Sequence, residues 1–151
     1  MTKELDSDFQ SCLKRQKIQI FADGPRVAEK ELARATKNLG ISRGSLTRGE
    51  WEWATAQAYY AAFLAARAMI LARGYRESGS HVCLWTAVRA LFVSSGEVPA
   101  SLIDRAALAK RLREDANYEG IFSQSGAESA IRTAEELVSA ARHVMGQGQL
   151  L

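Results

Sequence analysis

Cysteine, histidine and proline each occur only twice in the 151 residues, and each scarcity narrows the function. Cys12 and Cys83 stand 71 residues apart with no partner at CxxC spacing, so they offer neither a zinc knuckle nor a disulfide scaffold. Both are expected to be reduced thiols of a cytoplasmic protein. His81 and His143 are too few for a metal site built on several imidazoles, and no cofactor or metal is implied. There is no P-loop, GxSxG, dinucleotide fingerprint or HExxH. The opening MTKELDSDFQSCLKRQKIQIF is acidic at once and lacks an apolar core, which does not fit a secretory signal. The run from Trp53 to Leu71 approaches the roughly 20 residues of a membrane span. Gln57 and Arg67 interrupt it and much of it is alanine, so it reads as a helix buried in protein, and no membrane is expected as a partner.

What is present is a chain of 47% hydrophobic and 25% charged residues with a net charge of +3, which excludes full disorder. Its length suits a single domain. Between sparse Gly and Pro run helical patterns rich in Ala, Leu, Arg and Glu, giving an all-α fold, an up-and-down bundle of four to five helices. Pro25 suits the first turn of a helix with Asp23 as a cap, running to Leu39 and closed by Gly40. Residues 41–49 have loop composition. A helix from about Glu50 to Arg73 is apolar on nearly every side, which places it at the bundle centre or between core and dimer interface. Tyr75 to Gly79 reads as a polar turn, and Ser80 as the N-cap of a third helix. A fourth spans about Ala100 to Ala116, with Leu102, Ile103, Ala106, Leu108 and Leu112 on its apolar face. Ile121 and Phe122 read as apolar anchors in the loop that follows. The last helix runs from about Gly126 to Met145, ended by Gly146 and Gly148. The first twenty residues carry a weaker helical pattern. The domain reading is a basic N-terminal extension over 1–24, the bundle over 25–146 and a tail over 147–151.

Charge is uneven: residues 1–48 hold 10 Lys/Arg against 6 Asp/Glu, whereas 49–151 hold 10 against 11. A basic arm of this kind can meet nucleic-acid phosphates or simply be a solvated surface. Arg76 and His81 form R-x4-H, a pair able to bind phosphate and move a proton, or a helix start with a satisfied histidine. Arg113, Glu114 and Tyr118 cluster at the end of the fourth helix, where arginine supplies a planar donor fork for phosphate or carboxylate, or an ion pair with a neighbour. Tyr59, Tyr60 and Arg67 project from the central helix and suit core and dimer packing better than a catalytic set, because a long apolar helix holds aromatics by default.

The order Trp53-x5-Tyr59-Tyr60-Ala61-Ala62-Phe63-x-Ala65-Ala66-Arg67-Ala68, then Gly74, Ser80-His81 and Arg113-Glu114-x-Ala116-x-Tyr118 resembles HEPN-domain proteins. The resemblance spans about residues 25–145 and is to the small stand-alone branch with AYYAxFHAARALL, SH and RxxADY; here the first string is AYYAAFLAARAMI. It implies a homodimer, often encoded beside a minimal nucleotidyltransferase in toxin–antitoxin or defence-type modules. Many such relatives are metal-independent ribonucleases using R-x4-6-H at the dimer cleft. Arg113 is retained here, but Tyr118 stands where the histidine would be, and Leu64 where the branch often has histidine. Cleavage by attack of the 2′-hydroxyl needs a proton acceptor near pH 7, and a tyrosine with pKa about 10 serves poorly. The sequence therefore favours a dimer that binds nucleotide or RNA phosphate near Arg113, with Arg76, His81, Arg67 and Tyr60 as further binding candidates. A ribonuclease using Arg113 with Tyr118, or Arg76 with His81, is the alternative, and a non-catalytic scaffold the third.

Overall fold

The computed structural model describes residues 1–146; Gly148 and the tail assigned to 147–151 lie outside the described residues. Six α-helices and a two-stranded ribbon follow in the order α1 (Lys3–Lys14), β1 (Ile18–Ile20), α2 (Gly24–Thr47), α3 (Trp51–Ala72), β2 (Tyr75–Glu77), α4 (His81–Val88), α5 (Ala100–Glu114) and α6 (Gln124–Val144). The fold is the expected all-α bundle. α4 and α5 each continue into a widened π-helical turn, Arg89–Val93 and Asp115–Glu119. No described helix is long and apolar enough to cross a membrane.

The near-uniform apolarity of α3 decides the architecture. A helix without a polar face must be covered on several sides, and α3 packs against α2, α4, α5 and α6. Its alanines allow close approach, and Ala54, Ala58, Ala61, Ala62, Ala65, Ala66 and Ala68 are all fully buried. Exposed aromatics remain on one side of it, Trp53 at 56% and Tyr60 at 41%. Gly24, at the start of α2, marks the tightest crossing: a Cβ there would stand 2.3 Å from the carbonyl oxygen of Leu71.

Several expectations are corrected. α2 does not end at Gly40 but runs on to Thr47. The serines in this stretch are satisfied within the bundle: Ser42 Oγ donates to the Leu39 carbonyl at 2.7 Å and Ser45 Oγ to Gln57 Oε1 at 2.7 Å. Ser42 thus bonds back within its own helix and Ser45 across to α3, neither drawing the backbone out of the helix, and the chain reverses only at Gly49, with φ +75°. Asp23 makes no side-chain capping bond. Tyr75–Glu77 is a strand rather than a turn, antiparallel to β1 with Gln19 opposite Arg76. Leu108, Ile121 and Phe122 are exposed rather than core.

The largest correction concerns the cysteines. Cys12 on α1 and Cys83 on α4 form a disulfide, with Cα atoms 5.7 Å apart. Their separation along the chain carried no information about space: Phe9 and Cys12 form the buried edge of α1, and that edge lies against α4. Residues 1–20 are thus stapled onto the bundle, with an Arg15 terminal nitrogen 3.4 Å from Cys83 Sγ.

Candidate functional site

Ser80 begins the site. Its hydroxyl accepts the Cys83 amide at 3.0 Å, while the Ser80 amide donates to Glu77 Oε2 at 2.9 Å. This capping, legible in the sequence, fixes His81 as the first residue of α4. The imidazole stacks on Phe63, with centroids 4.4 Å apart, and lies nearly parallel to Tyr59 at 5.8 Å. Tyr59 and Phe63 are one helical turn apart on α3, so they present adjacent rings.

Trp85 Nε1 donates to Tyr59 Oη at 3.2 Å, and Tyr59 Oη is 2.8 Å from His81 Nδ1. An indole nitrogen can only donate, which leaves the phenolic proton available to Nδ1; with that direction the neutral imidazole carries its own proton on Nε2, and the other tautomer would reverse the bond. Burial pushes the Tyr59 hydroxyl up to about 12, against the opposing pull of the Trp85 hydrogen bond and the Arg113 charge. It therefore remains a neutral donor. Burial lowers the His81 pKa from its ordinary value, and the charges of Arg113 and Lys110 lower it further, against Glu77 and Glu114. His81 is neutral at pH 7.

Arg113 arrives from the last turn of α5 with its guanidinium carbon 5.4 Å from the centre of the Tyr59 ring. Its Nε is buried and has no hydrogen-bond partner among the described residues. Ala56, Tyr59, Tyr60, Phe63, His81, Arg113 and Asn117 line one open cavity of about 370 Å³. An arginine fork, a neutral imidazole N–H and an amide around an aromatic floor suit an oxyanion such as phosphate.

The sequence candidates fall in three cavities, with Tyr118 in none of them. His81, Arg113 and Tyr60 share this cavity. Glu114 faces another, of about 410 Å³, with Arg89, Lys110 and Arg111, and pairs with Lys110 at 3.0 Å. Tyr118 is 74% exposed and does not line the Arg113 cavity. Arg76 does not meet His81: its Nε donates to Gln19 Oε1 at 2.8 Å, and it lines a third cavity with Arg67. Asn117, Phe63 and Trp85 were missed. Asn117 was within reach of sequence reasoning, since a residue at i+4 from Arg113 shares its helix face whereas i+5 does not. Trp85, one turn beyond His81, carried the same signal. Among the described residues no group of three or more His, Cys, Asp or Glu could hold a metal ion.

The model of the HEPN-domain family matches residues 28–144, from the first turns of α2 to the end of α6. The crystal structure of TT1696 from Thermus thermophilus is similar with a TM-score of 0.67 and 24% identity, over 78% of this chain and 98% of that one. At that identity the likeness is one of fold. No curated protein matches.

Proposed function

The chain belongs to the HEPN-domain family, whose members have nucleotide- or RNA-related roles, and from that premise we propose that it is a homodimer binding a nucleotide or RNA phosphate in the Tyr59–His81–Arg113 cavity. The observation that carries this reading is the buried Arg113 Nε without a partner among the described residues, beside an imidazole positioned by Tyr59. A buried guanidinium N–H left unsatisfied costs free energy, which a phosphate oxygen arriving in the cavity would recover. The exposed Trp53 and Tyr60, seven residues apart on α3, supply the apolar edge for the second copy. Partnership with a minimal nucleotidyltransferase, in a toxin–antitoxin or defence-type module, is part of the proposal and rests on the AYYAAFLAARAMI string of α3.

One observation favours ribonuclease as the second reading: His81 and Arg113, although remote in sequence, line one cavity. For His81 to act as base, however, the Tyr59 bond must reverse so that Nδ1–H donates and Nε2 is freed. With the phenol donating to Nδ1 this arrangement is not the starting one, and binding ranks ahead of cleavage.

The test is incubation of the protein with labelled structured and unstructured RNA in EDTA, beside Arg113→Ala and His81→Ala, with mobility shift and light scattering on the same samples. Binding that needs Arg113, without cleavage, is expected from a dimer that Trp53→Glu dissociates. Cleavage abolished by either variant would install the ribonuclease reading. A dimer that neither binds nor gains thermal stability with RNA or nucleotide would leave only a scaffold.

A further inference from the structure

We propose that the cavity between the β1–β2 ribbon and α2 is a separate site for a small phosphomonoester bearing a flat apolar body. It has a volume of about 300 Å³ and is lined by Phe21, Val27 and Leu71 on its apolar side and by Lys30, Arg34, Arg67 and Arg76 around Glu31 and Glu77. It shares no lining residue with the Arg113 cavity.

Glu31 is buried, with Oε1 2.6 Å from Arg34 and Oε2 3.2 Å from Arg67. Glu77 has Oε1 3.8 Å from the same Arg67 nitrogen and Oε2 on the Ser80 amide. All four carboxylate oxygens are thus engaged, and Arg34 and Arg67 are the cations that balance them. Lys30 and Arg76 remain, and among the described residues neither has a carboxylate within ion-pair distance. Two uncompensated cations on one cavity match the charge of about −1.5 to −2 that a phosphomonoester carries at pH 7.

The geometry adds selectivity. Arg76 is set by the ribbon: its Nε is spent on Gln19, opposite it across the strands, and its guanidinium carbon lies 4.9 Å from the Phe21 ring centre. The terminal N–H groups are left for oxygen acceptors. Phe21, Val27 and Leu71 then offer an apolar wall for the ester body. Phe21 and Val27 stand just ahead of residue 28, where the family match begins, while the charged residues of the cavity lie inside it.

Isothermal titration calorimetry of the full chain with AMP, inorganic phosphate and adenosine tests the proposal. AMP is expected to bind more tightly than phosphate, and adenosine to fail. In an Arg113→Ala background, which silences the Arg113 cavity, AMP should still bind, and Arg76→Ala or Lys30→Gln added to it should each weaken that binding at least tenfold. Should Arg76→Ala lower the melting temperature, Lys30→Gln, on the exposed side of α2, carries the test alone. No AMP binding at millimolar concentration, affinity indifferent to both variants, or loss confined to Arg113→Ala would overturn it. Equal affinity for phosphate and AMP would overturn the apolar-body assignment. RNA retention by Arg113 is scored separately, so the two sites stand or fall independently.

Discussion

Tyr59 Oη and His81 Nδ1, 22 residues apart in the chain, share a 2.8 Å hydrogen bond that fixes the ring of the histidine beside Arg113. The folded-state pKa of His81 lies below its ordinary 6.5, through burial first and the Arg113 and Lys110 charges next. NMR titration should find it there, and Arg113→Ala should move it upward. A value at or above 6.5 in the native protein would contradict the geometry.

The same shift has a consequence for stability. Between the folded-state pKa and 6.5 the unfolded chain binds the proton more readily than the folded one, so stability falls as pH falls through that window and levels below it. His81→Asn, which keeps an acceptor for the Tyr59 hydroxyl but does not titrate, should flatten that fall in urea melts taken at pH 5 to 7.

Tyr59→Phe tests the relay itself. The substitution preserves the ring but leaves Trp85 Nε1 and His81 Nδ1 without a partner, at an expected cost of about 1–3 kcal/mol in urea unfolding. Trp85→Phe removes only one donor and should cost less through the hydrogen bond, although it also removes buried volume. The informative reading is therefore the His81 pKa, which should rise in Tyr59→Phe, because a hydroxyl donating to Nδ1 favours the neutral ring.

The parts of this arrangement legible in sequence were the local ones. Ser80 announced a helix start because a short hydroxyl before an apolar run satisfies free amides, and the alanine-rich α3 announced a centre because no polar face was available to expose. Long-range pairings left no such trace. Three-residue strands at 18–20 and 75–77 are too short for an alternating pattern, and Ser42, Gly44 and Ser45 have turn composition although packing on α3 keeps them helical. Nothing local could tell Tyr59 the packing residue from Tyr59 the partner of His81. The phase of α5 was readable, however, and Asn117 rather than Tyr118 follows Arg113 onto the cavity.

Reduction of the Cys12–Cys83 bond should destabilise the fold. The bridge closes a loop of 71 residues, for which the chain-entropy model gives about 4 kcal/mol. Urea unfolding with and without dithiothreitol measures this, with Cys12→Ser/Cys83→Ser as the control that should be insensitive to the reductant. If α1 is held mainly by Phe9 packing, the difference will fall well short of that figure.

Two glycines of α2 should respond to alanine with opposite signs. At Gly40 an added Cβ meets nothing within 4 Å, and the position is inside the helix. Alanine there should stabilise by about 0.5–1 kcal/mol through helix propensity. At Gly24 the same atom would lie 2.3 Å from the Leu71 carbonyl oxygen. That oxygen cannot retreat freely, because it accepts the Gly74 amide at 3.0 Å where α3 turns into the ribbon. Strain of about 1–3 kcal/mol should then exceed the propensity gain, and Gly24→Ala should unfold at lower urea than the native chain. Since α3, Gly74 and β2 lead directly to the Ser80 cap, that variant should also broaden the His81 resonances, whereas Gly40→Ala should leave them unchanged.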